Sequence, residues 1–282
     1  MGASVCNRFV AAVAVAVAAG IVGAQAGPLK NRIDAGEPIR IGFANGIPWA
    51  YPGENGEPLG FANAYGLAVL KKMGIDTVEP VVTDWAALIP GLNSGRFDLI
   101  TAGMYILASR CDQVAFSEPI GEFGDAFIVP KGNPKGIENY QDLKEKDAMF
   151  VTGAGYNMVE AAKKEGVPED NVMLVEGPQE ILAAVRSGRA DAGGVTYFTA
   201  LDLAEDADGS IDVTSPGLLP KWTKNWVGIA FRQEDSDVVE AFNAAQKDFP
   251  DTPEMWAAVE EYGYSKSNLP GDVTTEWVCE NR

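Results

Sequence analysis

The chain has 282 residues and a net charge of −18, set by 40 acidic against 22 basic side chains, and it contains no histidine. That length holds two domains of ordinary size or one large one, and so acidic a balance repels nucleic acid and anionic membranes, which excludes both as expected partners. The absence of histidine removes the commonest general base and the commonest metal ligand together, so neither acid–base catalysis by imidazole nor a His-rich metal centre is available.

In chain order, residues 1–26 read as a secretory signal peptide. Arg8 is their only charge, an apolar run follows over 9–22, and Ala24-Gln25-Ala26 offers a small-residue cleavage site. The run is short, rich in alanine and interrupted by glycine, which argues against a retained membrane anchor. Cys6 precedes it, whereas a lipid-attachment cysteine would follow. The mature chain is therefore expected to be soluble and exported to the periplasm. Cys111 and Cys279 are the two cysteines left after processing. They are too few for a structural zinc site and are expected to pair in an oxidising compartment.

Arg40-Ile41-Gly42-Phe43-Ala44 reads as an opening strand, and the Pro/Gly/Asn-rich stretch 48–60 as loop. A helix is predicted over 62–73, ending at Gly74, and a strand over 78–82. Trp85, Leu88, Ile89 and Leu92 have helical spacing, followed by Ser94-Gly95-Arg96 and the apolar run Phe97, Leu99, Ile100. A strand over 125–130 closes on the turn Lys131-Gly132-Asn133-Pro134. Then come a short helix over 141–146, a strand over 150–152, a helix over 158–165 stopped by Gly166 and Pro168, and a strand over 172–175. Ile181, Leu182 and Val185 again have helical spacing, followed by Ser187-Gly188-Arg189 and the smaller run Ala190, Ala192, Val195. A strand over 226–232 and helices over 236–249 and 253–262 complete the chain.

Two segments of this series repeat. Leu92-Asn93-Ser94-Gly95-Arg96-Phe97-Asp98-Leu99 returns as Val185-Arg186-Ser187-Gly188-Arg189-Ala190-Asp191-Ala192, with the glycine in each copy where a helix C-cap needs a left-handed residue. Two copies of one helix–turn–strand unit predict two similar α/β lobes with largely parallel sheets. The element count is economical if the chain enters the second lobe near Val129 and returns near Trp226. This assigns 27–128 with 227–282 to lobe 1 and 129–226 to lobe 2, with two crossing strands as a hinge. A cleft between lobes is where a small ligand binds.

With a signal peptide, two α/β lobes and two crossings, the chain resembles the solute-binding proteins of ABC transporters, and among them the polar amino-acid type. The resemblance spans the mature chain and is carried by Gly91-Leu92-Asn93-Ser94-Gly95-Arg96-Phe97-Asp98, by residues 104–110 and by Val114-Ala115-Phe116-Ser117-Glu118-Pro119. Ile41-Gly42-Phe43-Ala44-Asn45, Leu88-Ile89-Pro90-Gly91-Leu92, Ala102-Gly103-Met104-Tyr105-Ile106 and Ser109-Arg110-Cys111 narrow it toward the ectoine/hydroxyectoine-binding proteins. The resemblance implies a two-lobed periplasmic-binding-protein fold of two doubly wound lobes. It implies a monomer that needs no cofactor and hands a small zwitterionic ligand to a membrane permease.

In the resembled family the arginine at the position of Arg110 holds the ligand carboxylate, as a guanidinium fork does with two parallel charge-assisted bonds. Trp49, Trp85 and Tyr105 stand at the positions of the ectoine binders' aromatic box, whose ring faces attract a diffuse cation. Gly103, next to these, belongs to the same expected site. So does Gly155, in a Gly153-Ala154-Gly155-Tyr156-Asn157 loop whose backbone N–H groups could meet the ligand carboxylate. Tyr197 and Phe198 could close the cage or pack the lobe; Trp222 and Trp226 are read as hinge or core. The departures are as informative. Binders of α-amino acids carry an aspartate where this chain has Thr196, and the acidic residues of ectoine binders are replaced by Gly46 and Asn157. Without the aspartate a primary ammonium would be under-compensated, which argues against an ordinary amino acid. The loss of both acids puts ectoine itself in question and suits a cation with no hydrogen to donate, such as a betaine. An enzyme on this scaffold, like the periplasmic dehydratases among the relatives, would need a positioned acid or base. The two expected acidic positions do not supply one, so no catalytic residue is assigned.

Overall fold

The computed structural model describes residues 1–2 and 27–282; the rest of the expected signal peptide, with Cys6 and Arg8, lies outside the described residues. The chain forms two α/β lobes, each around its own sheet. The lobe 1 sheet runs in the order Val78–Val82, Ile39–Phe43, Leu99–Tyr105, Asn225–Phe231, with the short strands Ala115–Phe116 and Gly121–Phe123 both paired to the last. The lobe 2 sheet runs Val172–Val175, Phe150–Gly153, Ala192–Thr196, Asp125–Pro130, Ile211–Val213. The first three strands of each order are parallel, and the fourth is antiparallel. That fourth strand is in each case the one arriving from the other lobe. The sheets are therefore mixed rather than purely parallel, because a strand entering across the cleft runs opposite to those wound within its lobe.

The repeated sequence is a repeated structure. Helix Leu88–Asn93 gives way to Gly95 at φ +74°, and helix Pro178–Arg186 to Gly188 at φ +72°. Arg96 N–H returns to the Gly91 carbonyl at 2.9 Å and Arg189 N–H to the Ala184 carbonyl at 3.0 Å, closing the same C-cap in both copies. The aspartates two residues on do the same work twice. Asp98 N–H donates to the Arg40 carbonyl while its Oδ2 accepts from Arg40 N–H; Asp191 pairs identically with Met149. Each aspartate thus clamps its strand to the neighbouring first strand. The smaller second copy has a reason in packing: a Cβ on Gly194 would stand 2.3 Å from the Phe150 ring.

Asp125–Pro130 is apolar on both faces because both are covered. Ala126 and Ile128 pack with Ile181, Val185 and Leu203, while Phe127 and Val129 pack with Tyr140, Phe150 and Met158. This strand hydrogen-bonds wholly within the second sheet, so the sheets exchange the chain at Gly124. Residues 125–128, expected in lobe 1, follow the second sheet. On the return, Asn225 and Trp226 already pair with Phe123 and Glu122 of the first sheet. Both corrections arise because the pattern marks a buried strand without saying which sheet it joins. Helix Tyr197–Asp206 and helix Thr275–Asn281 were not predicted; the latter carries Cys279, joined to Cys111 with Cα atoms 5.9 Å apart. No helix among the described residues is long and apolar enough to cross a membrane.

The disulfide spans a sequence separation of 168 residues, so it strongly limits the unfolded chain. Cys279→Ser is expected to lower stability by about 2–5 kcal/mol. Thermal melts with and without reductant check this: the reductant should lower the wild-type midpoint and leave that of the variant unchanged.

Candidate functional site

The parallel strands of both sheets end at the cleft, where open α/β sheets hold ligands. Ala44, Asn45 and Gly46 follow Ile39–Phe43, Trp85 follows Val78–Val82, and Tyr105 ends Leu99–Tyr105. From lobe 2, Tyr156 and Asn157 follow Phe150–Gly153, Pro178 follows Val172–Val175, and Thr196 ends Ala192–Thr196. These residues, with Trp49, Gly103, Arg110 and Thr199, surround one cavity of about 60 Å³. Of the eight residues singled out from sequence, Trp49, Trp85, Gly103, Tyr105, Arg110, Asn157 and Thr196 line it.

Gly155 lies elsewhere. It stands behind the wall at φ +77°, and it is its carbonyl, not its N–H, that faces lobe 1, accepting from Arg110 Nη2 at 3.0 Å and Trp85 Nε1 at 3.1 Å. Nearby, Ala154 and Tyr156 spend their N–H groups on the carbonyls of Val175 and Gly153. The left-handed glycine turns the peptide toward the arginine, which sequence spacing could not show. Phe198 packs its ring 5.5 Å from that of Trp49, outside the cavity lining, and Tyr197 is exposed.

Arg110 sits in the one-turn helix Ala108–Cys111 and is 7% exposed. Besides Gly155 it donates through Nη1 to the Tyr105 carbonyl at 2.9 Å, and its guanidinium lies 5.6 Å from the Trp85 ring centroid. Among the described residues no carboxylate is paired with it, and burial lowers its pKa to about 10, against the opposing pull of Glu160, Tyr105 and Asp125. It remains a cation at neutral pH, and its direct contacts are two carbonyl oxygens and an aromatic face.

The rings are arranged for two purposes. The indole N–H groups of Trp49 and Trp85 cross the cleft, to Thr196 Oγ1 at 3.0 Å and to Gly155 O, while their rings border the cavity. Trp49 meets Tyr105 edge-on at 6.2 Å, and Trp85 meets Tyr156 at 5.5 Å. Tyr156 is a fourth ring in the wall that sequence reasoning passed over, although it stands in the loop already marked by its glycines. Gly103 owes its place to Trp49: at φ +72°, a Cβ there would lie 2.3 Å from the indole.

Asp125 was also missed. It is fully buried behind the wall, paired with Thr196 in the sheet ladder. Its Oδ2 accepts from Asn157 Nδ2 at 2.6 Å and from Asn225 Nδ2 at 3.3 Å, and the Tyr105 hydroxyl is its buried neighbour. Burial pushes its pKa up to about 7, tempered by Asn157, Tyr105 and the positive charges of Arg282 and Arg110. Burial, followed by the neighbouring Asp125 charge, raises the Tyr105 phenol. The only sequence signal for this residue was a charge at the head of an otherwise apolar strand. Gly46 and Asn157 both line the cavity, whose wall holds no aspartate or glutamate.

Residues 39–265 match the family model of bacterial extracellular solute-binding proteins, family 3. A probable amino-acid ABC transporter periplasmic-binding protein of Sinorhizobium fredii is 34% identical over 251 residues, covering 86% of this chain and 83% of the relative. The solved structure of EhuB in complex with hydroxyectoine superposes with a TM-score of 0.80 at 30% identity, covering 89% of this chain and 97% of that one. An ancestral amino-acid-binding protein, a precursor of cyclohexadienyl dehydratase, superposes with a TM-score of 0.71 at 26% identity, covering 84% and 99%.

Gly103→Ala should displace the Trp49 indole and strain a left-handed backbone, lowering stability by about 1–3 kcal/mol. A lowered thermal midpoint with a shifted tryptophan emission checks it; an unchanged spectrum would mean that the ring is not held by this contact.

Proposed function

The chain belongs to family 3 of the bacterial extracellular solute-binding proteins, and from that premise we propose that it captures a small zwitterionic compatible solute in the periplasm, of the ectoine or hydroxyectoine kind, and passes it to an ABC permease. The observation that carries this reading is the pairing of a buried, carboxylate-free Arg110 with aromatic rings around one small cavity. The guanidinium suits a ligand carboxylate, with N–H groups left over after its two carbonyl contacts. Trp49, Trp85, Tyr105 and Tyr156 suit a delocalised or alkylated cation, whose attraction to ring faces grows as water is excluded. The likeness to a hydroxyectoine complex over nearly the whole chain supports the same ligand class.

Direct contacts between lobes fit capture by closure. Trp49 to Thr196, Trp85 and Arg110 to Gly155, and Ser109 to Glu160 at 2.9 Å all join one lobe to the other. A ligand touching both lobes favours the closed arrangement by its added affinity for that state. The wall's lack of a carboxylate favours a second ligand within the class, a betaine, over an α-amino acid with its primary ammonium. The same lack, together with a chain without histidine, supports binding and transport rather than catalysis.

A calorimetric screen of ectoine, hydroxyectoine, glycine betaine and the common amino acids tests the reading, which fails if an ordinary amino acid binds far more tightly than every compatible solute. Arg110→Ala is expected to weaken binding by about 2–5 kcal/mol, and unchanged affinity would remove it from the carboxylate's place. Trp85→Ala should cost about 1–2 kcal/mol in affinity, with a greater loss for a methylated cation than for an isosteric neutral ligand. Thr196→Asp should raise tolerance of primary amines, read as a narrowed gap between amino acids and betaine.

A further inference from the structure

The cavity wall supplies a cation for one end of a zwitterion and no formal charge for the other. One carboxylate lies directly behind it. Asp125 touches three lining residues at once, as ladder partner of Thr196, acceptor from Asn157 and neighbour of Tyr105. We propose that Asp125 is the counter-charge for the ligand's cationic end, a positioning residue that acts through the wall rather than by contact. The inference rests on the reading above only in taking the ligand to carry a positive group.

Two features give this arrangement direction. Asn157 commits its amide nitrogen to Asp125, which leaves its amide oxygen as the group to be offered elsewhere, and Asn157 lines the cavity. A negative group behind thus orients an acceptor, and the acceptor suits an N–H donor or the positive skin of a methylated ammonium. In addition, Asp125 and the Tyr105 hydroxyl are buried neighbours, so the carboxyl faces the rear of a second residue that lines the cavity. The charge acts in a water-poor setting where its field is weakly screened.

The groups facing Asp125 are the phenols of Tyr105 and Tyr140, the amides of Asn157 and Asn225, and the guanidinium groups of Arg110 and Arg282. Arg282 donates through Nη2 to Asn225 Oδ1 at 2.6 Å. Burial pushes the Asp125 pKa up to about 7, so the carboxyl is part protonated at neutral pH. A cation held in the cavity favours the ionised form, so binding lowers that pKa and expels a proton. The sign follows: affinity rises as pH increases through 7 and falls below it. The chain has no histidine to supply a competing signal in this range.

Titration calorimetry of the mature protein in buffers of different ionisation enthalpy provides the test, using each zwitterion that binds in the screen above. The wild type is expected to release up to about half a proton per ligand at pH 7 and to lose affinity about fivefold to tenfold between pH 8 and pH 6. Asp125→Asn should bind at least about tenfold more weakly at pH 8, with no proton release and a flat pH profile. A merely structural role would lower the melting temperature and leave proton release in place. Should that variant fail to fold, the wild-type measurement decides alone, because binding without proton release at pH 6–7 overturns the proposal. If an α-amino acid proves to be the ligand and a proton is released, the compatible-solute reading falls and the role of Asp125 stands. If no zwitterion binds at all, both fall.

Discussion

A guanidinium buried between two lobes, with only peptide carbonyls and a ring to meet it, governs the rest of the site. Removing a charge from water is costly unless it is paired. The carbonyls of Tyr105 and Gly155 provide partial compensation, one from each lobe. Arg110 therefore joins the lobes while keeping N–H donors in excess of its two carbonyl contacts. On the reading proposed above, a ligand carboxylate takes up those donors and favours the state in which the lobes are together.

The framework holds this cation in place from several directions. Its short helix is fastened through Cys111 to the helix bearing Cys279, and the N–H of Ala108 donates to the Arg282 carbonyl. The aromatic wall is anchored in the same economical manner. Trp49 is packed among Phe61, Phe123 and Phe198, next to the Gly124 crossing, so the ring that borders the cavity is also part of the hinge's packing. The shape of the cavity wall is therefore tied to the packing at the crossing, and Asp125 lies one residue past it.

Membership of a solute-binding family goes with the two lobes and the cleft between them, and the individual wall residues set the chemistry of the cavity. Thr196, Asn157 and Gly46 are neutral residues of the wall, and Tyr156 stands among its rings. The cavity wall holds no aspartate or glutamate and several aromatic rings, which on the proposed reading suits a large, diffuse cation better than a compact ammonium.

Periodicity and the repeated Ser-Gly-Arg turn were enough to reveal two lobes, since helical spacing, a left-handed glycine and a following apolar run are local consequences of backbone sterics and burial. Arg110 and the three rings at Trp49, Trp85 and Tyr105 were singled out by the resemblance to a binding-protein family, and they line one cavity. Tertiary structure alone decided which sheet Asp125–Pro130 joins, which way the Gly155 peptide turns, and that Tyr156 and Asp125 border the site. Those outcomes depend on strand pairing across the hinge and on contacts between residues far apart in the chain, such as Asp125 with Asn225 or Trp85 with Gly155. Local pattern records that a side chain is buried; only the packed fold determines what it is buried against.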